Sequence, residues 1–156
     1  MRAFFFALAL ACAACTPAPE QSDTTVAPAG RLEVRDAWAA PTPNGVDVSA
    51  GYLTIINGGS EADRLIGAES ARAGRVEVHE MIMDGAVMQM RPIQALEIGA
   101  GETASLAPGG AHLMFYEVTE PFTEGQTVSV RLQFERAGAV DINLPVRRAA
   151  AHGAGH

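Results

Sequence analysis

The chain has 156 residues, about one domain's worth, and 48% of them are hydrophobic, enough to bury a core. Its formal net charge is −7, and it contains no Lys, so that all eleven basic residues are Arg. An acidic chain without Lys is a poor partner for nucleic acid, whose binding rests on neutralising phosphates with Lys and Arg. The missing amine also excludes Schiff-base and pyridoxal chemistry.

The N-terminal "MRAFFFALALACAACTPAPE" carries one positive charge, Arg2, before an apolar run from Ala3 to Ala11. The run is too short to span a bilayer; with small residues after it, it reads as a secretory signal. Two cleavage readings compete: "ACA" at 11–13 fits an ordinary A-x-A site, and "AAC" ending at Cys15 looks like a bacterial lipoprotein box. The expected organisation is a signal peptide over 1–14, a Pro-, Thr- and Ala-rich tether over 15–30, a folded domain over 31–148 and a disordered tail over 149–156. The only contact with a membrane would be a lipid on Cys15. The domain itself contains no Cys, so no disulfide framework supports it.

From Leu32 onward the pattern is strand, turn, strand. "RLEVRDAW" alternates at Leu32 and Val34, "PTPNG" at 41–45 is turn chemistry, and "VDVSAGYLTIIN" is rich in β-formers. "EADRLIGAESARAG" has room for one helical turn, and no stretch supports a long helix. "RVEVHEMIM" and "AVMQMRPI" flank Asp84-Gly85. "TVSVRLQF" alternates Val128, Val130, Leu132 and Phe134; "AVDINLPV" alternates Val140, Ile142, Leu144 and Val146. Many short half-buried strands predict a single all-β domain, a sandwich or barrel. The tail "RRAAAHGAGH" carries His152 and His156, a candidate weak Cu(II) site separate from the domain.

Asp84-Gly85 between two alternating runs predicts a two-residue type I′ hairpin. That register sets Met83 opposite Ala86, Met81 opposite Met88 and His79 opposite Met90. Farther along, "GGAHLMFY" places His112 and Met114 on one face of a strand, about 6.5 Å apart. Two imidazole–thioether pairs follow from β geometry alone. Every Met except the initiator lies between positions 81 and 114, and both His residues outside the tail lie between 79 and 112. A generic core would scatter its Met residues. Met81 and Met88 fall on the same predicted face, as an outer rim.

Thioether sulfur is soft and neutral and selects copper, above all Cu(I). Zinc would want Cys or carboxylate beside the His; calcium and magnesium would want oxygens. Thioethers also suit an oxidising compartment, where paired thiols would become a disulfide. Blue-copper electron transfer needs a Cys ligand, which the domain lacks. The chain shows no nucleophile elbow and no paired carboxylates, and "APGG" at 107–110 lacks the Lys of a P-loop. The readings that remain are a copper-binding protein, for delivery or for storage and tolerance, and a plain β-sandwich scaffold on a lipid anchor.

His79, ten residues, Met90, twenty-one residues, His112, one residue, Met114 resembles the H-x10-M-x21-H-x-M signature of the PCuAC-type periplasmic copper chaperones in residue type and spacing. "GYLTIIN", "LAPGGAHLM", "PFTEGQTVSVRLQF" and the closing "LPV" are similar to that family too, and the likeness spans roughly Leu32 to Arg147. "WAAP" at 38–41 departs from it, since Arg or Lys is expected soon after the Trp. The resemblance implies a cupredoxin-like Greek-key β-sandwich or barrel. It also implies a periplasmic, non-enzymatic monomer holding one Cu(I) per chain through His79, Met90, His112 and Met114. The copper would be delivered towards the CuA domain of cytochrome c oxidase subunit II, alongside a Sco-type thiol protein.

Overall fold

The computed structural model describes residues 25–26 and 32–149. The segment read as a signal peptide, Cys15, nearly all of the expected tether, and the tail with His152 and His156 lie outside the described residues. Within them the alternating runs become strands: β1 (Thr25–Val26), β2 (Leu32–Ala39), β3 (Ser49–Asn57), β4 (Asp63–Glu69), β5 (Ala73–Asp84), β6 (Val87–Ile93), β7 (Leu96–Ile98), β8 (Thr103–Leu106), β9 (His112–Val118), β10 (Thr127–Phe134) and β11 (Gly138–Pro145). No helix long and apolar enough to cross a membrane occurs among the described residues. The segment read as room for a helical turn is instead β4 and the start of β5. Leu65 of β4 is fully buried and Ala68 pairs with Val76, so pairing and burial override weak helical propensity.

The strands form one sheet in the order β1-β2-β3-β9-β5-β4-β10-β11, with β6 on β5, β7 on β4 and β8 on β3. A parallel bridge from Ala39 to Val146 brings β11 back beside β2, which all but closes the sheet into a barrel. Neighbours distant in sequence, such as β3 with β9 and β4 with β10, give the Greek-key type of crossing. The interior is filled from one side of each strand. On the β10–β11 ladder, Val128 faces Leu144, Val130 faces Ile142 and Leu132 faces Val140, and all six are buried. Asp63, also buried, ties the β10–β11 turn to β4, its carboxylate accepting from the backbone N–H groups of Arg64, Arg136 and Ala137 at 2.8–2.9 Å.

Two local features decide which side chains leave the core. On β2 the pairing with β3 shifts between Arg35 and Trp38, and Asp36 has φ +53°. This is a β-bulge. It switches the inward positions from Leu32 and Val34 to Ala37 and Ala39. Trp38 is therefore buried outside the core cluster, directly opposite Tyr52.

The second feature is the hairpin, whose register differs from the expected one. Asp84 pairs with Val87, so the loop is Gly85-Ala86; Met83 then faces Met88, Met81 faces Met90, and His79 faces Pro92. Gly85 is at φ +64°, while Ala86 is not among the positive-φ residues. That is the pattern of a type II′ turn, with Gly at its first central position, and not the type I′ turn read from Asp84-Gly85. The slide moves every pair one rung along without exchanging the faces.

Candidate metal centre

His112 opens β9, and its strand alternates cleanly: Leu113 and Phe115 are fully buried in the core, while His112, Met114 and Tyr116 point the other way. On β5, Val78 belongs to the core and its neighbour His79 faces outward. The β5–β9 register places His79 directly opposite His112, and Glu77 opposite Met114. The two imidazoles are thus cross-strand partners, their ring centroids 5.9 Å apart. Each is only 6% exposed, although neither lies in the barrel interior.

Rings and a carboxylate cover them. Tyr52 lies 6.4 Å from His112, Tyr116 lies 6.0 Å from His79, and Trp38 stacks on Tyr52 at 4.4 Å. Arg147 lies over Trp38 at 4.7 Å and Arg75 over Tyr116 at 4.4 Å, each a cation–π contact. Burial raises the pKa of Tyr52, so its phenol stays protonated at neutral pH.

The hydrogen bonds assign one nitrogen of each imidazole to a fixed partner. His112 Nδ1–H donates to Gly110 O at 3.1 Å, which leaves Nε2 as the unprotonated nitrogen. His79 Nε2–H donates to Glu77 Oε2 at 2.9 Å, with the Tyr116 hydroxyl 3.3 Å away. Its Nδ1 is buried and has no hydrogen-bond partner among the described residues. An orphaned buried nitrogen is uncommon in a folded protein. Imidazoles held at one nitrogen and free at the other have the preparation of metal ligands.

The thioethers complete the description. Met114 is two residues from His112 on the same face. Met90 is opposite Met81 and therefore diagonal to His79, where β-carbons are about 7–8 Å apart. The register brings His79, His112 and Met114 into one cross-strand neighbourhood and leaves Met90 one rung outside it. Three rotatable bonds give Met90 the reach to close that gap. Among the described residues, no three His, Cys, Asp or Glu side chains are grouped to hold a metal. A donor set of two imidazoles and two thioethers suits a soft, low-charge ion. Glu77 and Tyr116 did not emerge from sequence reasoning. Their signals are the spacings E-x-H at 77–79 and H-x-M-x-Y at 112–116, which put all five side chains on one face.

The LpqE-like family model, described as "Putative lipoprotein LpqE-like", matches residues 32–146. A curated relative, "Putative lipoprotein Lxx21020" of Leifsonia xyli subsp. xyli, is 31% identical over 130 residues, covering 83% of this chain and 77% of its own. RP573 of Rickettsia prowazekii is 26% identical over 133 residues, covering 83% and 74%. Among solved structures, a copper-bound PCuAC domain from PmoF2 superposes with a TM-score of 0.69 at 24% identity, covering 81% of this chain and 98% of that domain. Apo-DR1885 from Deinococcus radiodurans superposes with a TM-score of 0.58 at 23% identity over 96% of this chain and 95% of its own. The fold is that of the PCuAC domains, the cupredoxin-like all-β architecture expected from the sequence.

Proposed function

The chain belongs to the LpqE-like family, and from that premise we propose that it is an exported copper chaperone, binding one Cu(I) through His79, Met90, His112 and Met114 and passing it to a copper-accepting protein. The observation that carries this reading is the opposed pair of buried imidazoles, each with one nitrogen committed and one free, beside thioethers on the same face. Copper-bound and Cu(I)-loaded forms of structurally similar domains support it. The lipoprotein names of the family and its relative support export with a lipid anchor at Cys15.

The chemistry also favours a carrier over an enzyme. All four donors are neutral, and none is a thiolate, so the bond to copper is moderate and exchangeable. A set this soft holds Cu(I) and disfavours cycling through Cu(II). Glu77 and the Gly110 carbonyl keep the free nitrogens turned to the ion, and Tyr52, Tyr116 and Trp38 limit water around it. We assign the CuA domain of cytochrome c oxidase subunit II as the recipient, with a Sco-type thiol protein acting alongside.

The decisive experiment is transfer. The full chain, carrying Cys12→Ser and Cys15→Ser so that no thiol competes, is loaded with one equivalent of Cu(I) under a competing chelator. It is then mixed with an apo CuA domain under reducing conditions. Copper moves to the CuA domain. A chain that takes up no stoichiometric Cu(I) is a scaffold; one that holds it against both the CuA domain and a thiol chelator of comparable affinity is a store.

Glu77→Gln tests the positioning of His79. The amide removes the charge that fixes the imidazole proton, and Cu(I) binding weakens by about 10–100-fold, as is typical for partners behind a ligand. Because Glu77 is partly exposed, the unfolding midpoint stays near that of the wild type. Unchanged Cu(I) affinity would remove Glu77 from the site.

A further inference from the structure

Beyond His79 the hairpin becomes an arm. Strand β9 begins at His112, the residue opposite His79, so among the described residues strand β5 from Glu80 to Asp84 pairs with β6 alone. The two faces of this arm differ sharply. On one, Glu80 faces Arg91 in a salt bridge, Ile82 faces Gln89 and Asp84 faces Val87. The other carries Met83 opposite Met88 and Met81 opposite Met90, ending at His79 and Pro92. Between the turn and His79, every side chain on that face is a thioether.

Packing does not explain this. None of the four methionines belongs to the core or to the hydrophobics packed against it. Met83, Met88 and Met90 are 63%, 58% and 51% exposed, and a gap-filling role needs a gap. Protein-docking surfaces enrich Met together with aromatic residues and Arg, and between the turn and His79 this face carries Met alone.

We propose that Met81, Met83, Met88 and Met90 form a second soft-metal site, a methionine-only array that takes Cu(I) at the tip of the arm. Directly opposed residues have β-carbons about 4.5–5.5 Å apart, and the two pairs are separated by about 7 Å along the strands. Four flexible thioethers on such a rectangle converge on one ion without moving the backbone. The donors are neutral, so the ion binds without proton release; the array offers no oxygen for calcium or magnesium and none of the Cys, His or carboxylate ligands that zinc takes. Met90 is shared between the two sets: with an ion in each, it serves the inner one and the outer ion keeps Met81, Met83 and Met88. Resting on the chaperone reading, the array is the entry and exit station for copper. The ion steps from the Met83–Met88 pair to the Met81–Met90 pair and then to His79 and His112.

The test is an Ag(I) titration of the full chain carrying Cys12→Ser and Cys15→Ser. It is followed through the Met methyl and His ring signals by NMR; Ag(I) is a diamagnetic probe for soft donors. Two equivalents bind, and the second shifts the methyls of Met83 and Met88. The double variant Met83→Leu, Met88→Leu, exposed and close in volume, keeps the first equivalent and binds the second at least about tenfold more weakly. Methyls of Met83 and Met88 that stay in place through two equivalents, or a double variant that still takes both, would overturn the array. If those methyls shift while the His79 and His112 rings do not, the array stands and the chaperone reading falls.

Discussion

Met114→Leu should weaken Cu(I) binding by more than about 100-fold, since even the partners behind a metal ligand are worth 10–100-fold. The substitution conserves volume and shape closely enough for the fold to tolerate it. Met114 is half-buried, between Ala50 on β3 and Glu77 on β5, and Leu fits that place while removing the only soft donor of β9. Met90→Leu should cause a comparable loss of affinity with no cost in stability, because Met90 is exposed and outside the core. Competition against a Cu(I) chelator, with far-ultraviolet circular dichroism as the control for folding, measures both. Wild-type affinity in both variants would sink the four-residue assignment. A loss confined to Met114→Leu would place Met90 in the outer array alone.

The second large effect is on stability. Phe115 is fully buried and meets Phe122 edge-on, with ring centroids 5.3 Å apart. Its ring packs so closely on β3 that a β-carbon added at Gly51 would come within 2.9 Å of it. Phe115→Ala therefore removes a large side chain from a place that cannot collapse, and should cost about 3–5 kcal/mol. Trp38 is the only Trp, so its fluorescence reports urea unfolding cleanly. The midpoint should fall with the slope unchanged. A cost below about 1 kcal/mol would mean that β9 is not anchored through Phe115. Met114 and Tyr116 flank this residue, so the core position of Phe115 is what holds the outward face of β9 in register with β5.

Period-two alternation made most of the barrel legible in the sequence. Val128 to Phe134 and Val140 to Val146 bury the residues that their pattern marks, and His112 with Met114 share a face because the alternation of β9 runs unbroken from His112 to Tyr116, ahead of the positive φ at Glu117. The hairpin was legible in its faces and not in its pairing. Both Asp84-Gly85 and Gly85-Ala86 are chemically sound two-residue loops, the first as type I′ and the second as type II′. The alternatives differ by a slide that keeps each side chain on its own face. Local sequence therefore cannot separate them, and the difference matters because it moves Met90 from beside His79 to one rung away. The cross-strand pairing of His79 with His112 was illegible for another reason: it joins strands whose partners are set by the topology of the whole barrel. The segment at 61–74 misled because its isolated Leu65 and Ile66 carry no clear period, and tertiary pairing decided it.

The bulge at Asp36 lets one strand serve two masters. Before it, even-numbered positions of β2 answer to the barrel; after it, odd-numbered ones do, and Trp38 is released to roof Tyr52, the ring beside His112. The strand is in effect written in two reading phases, with Asp36 as the punctuation between them. Substitutions at Trp38 can retune the roof while Leu32, Val34, Ala37 and Ala39 go on specifying the barrel. Flattening the bulge with every residue retained would act as a frameshift in space, with Trp38 driven into the interior and Ala39 turned out, whereas deleting Asp36 would restore plain alternation and leave Ala37 and Ala39 inward and Trp38 outward opposite Tyr52.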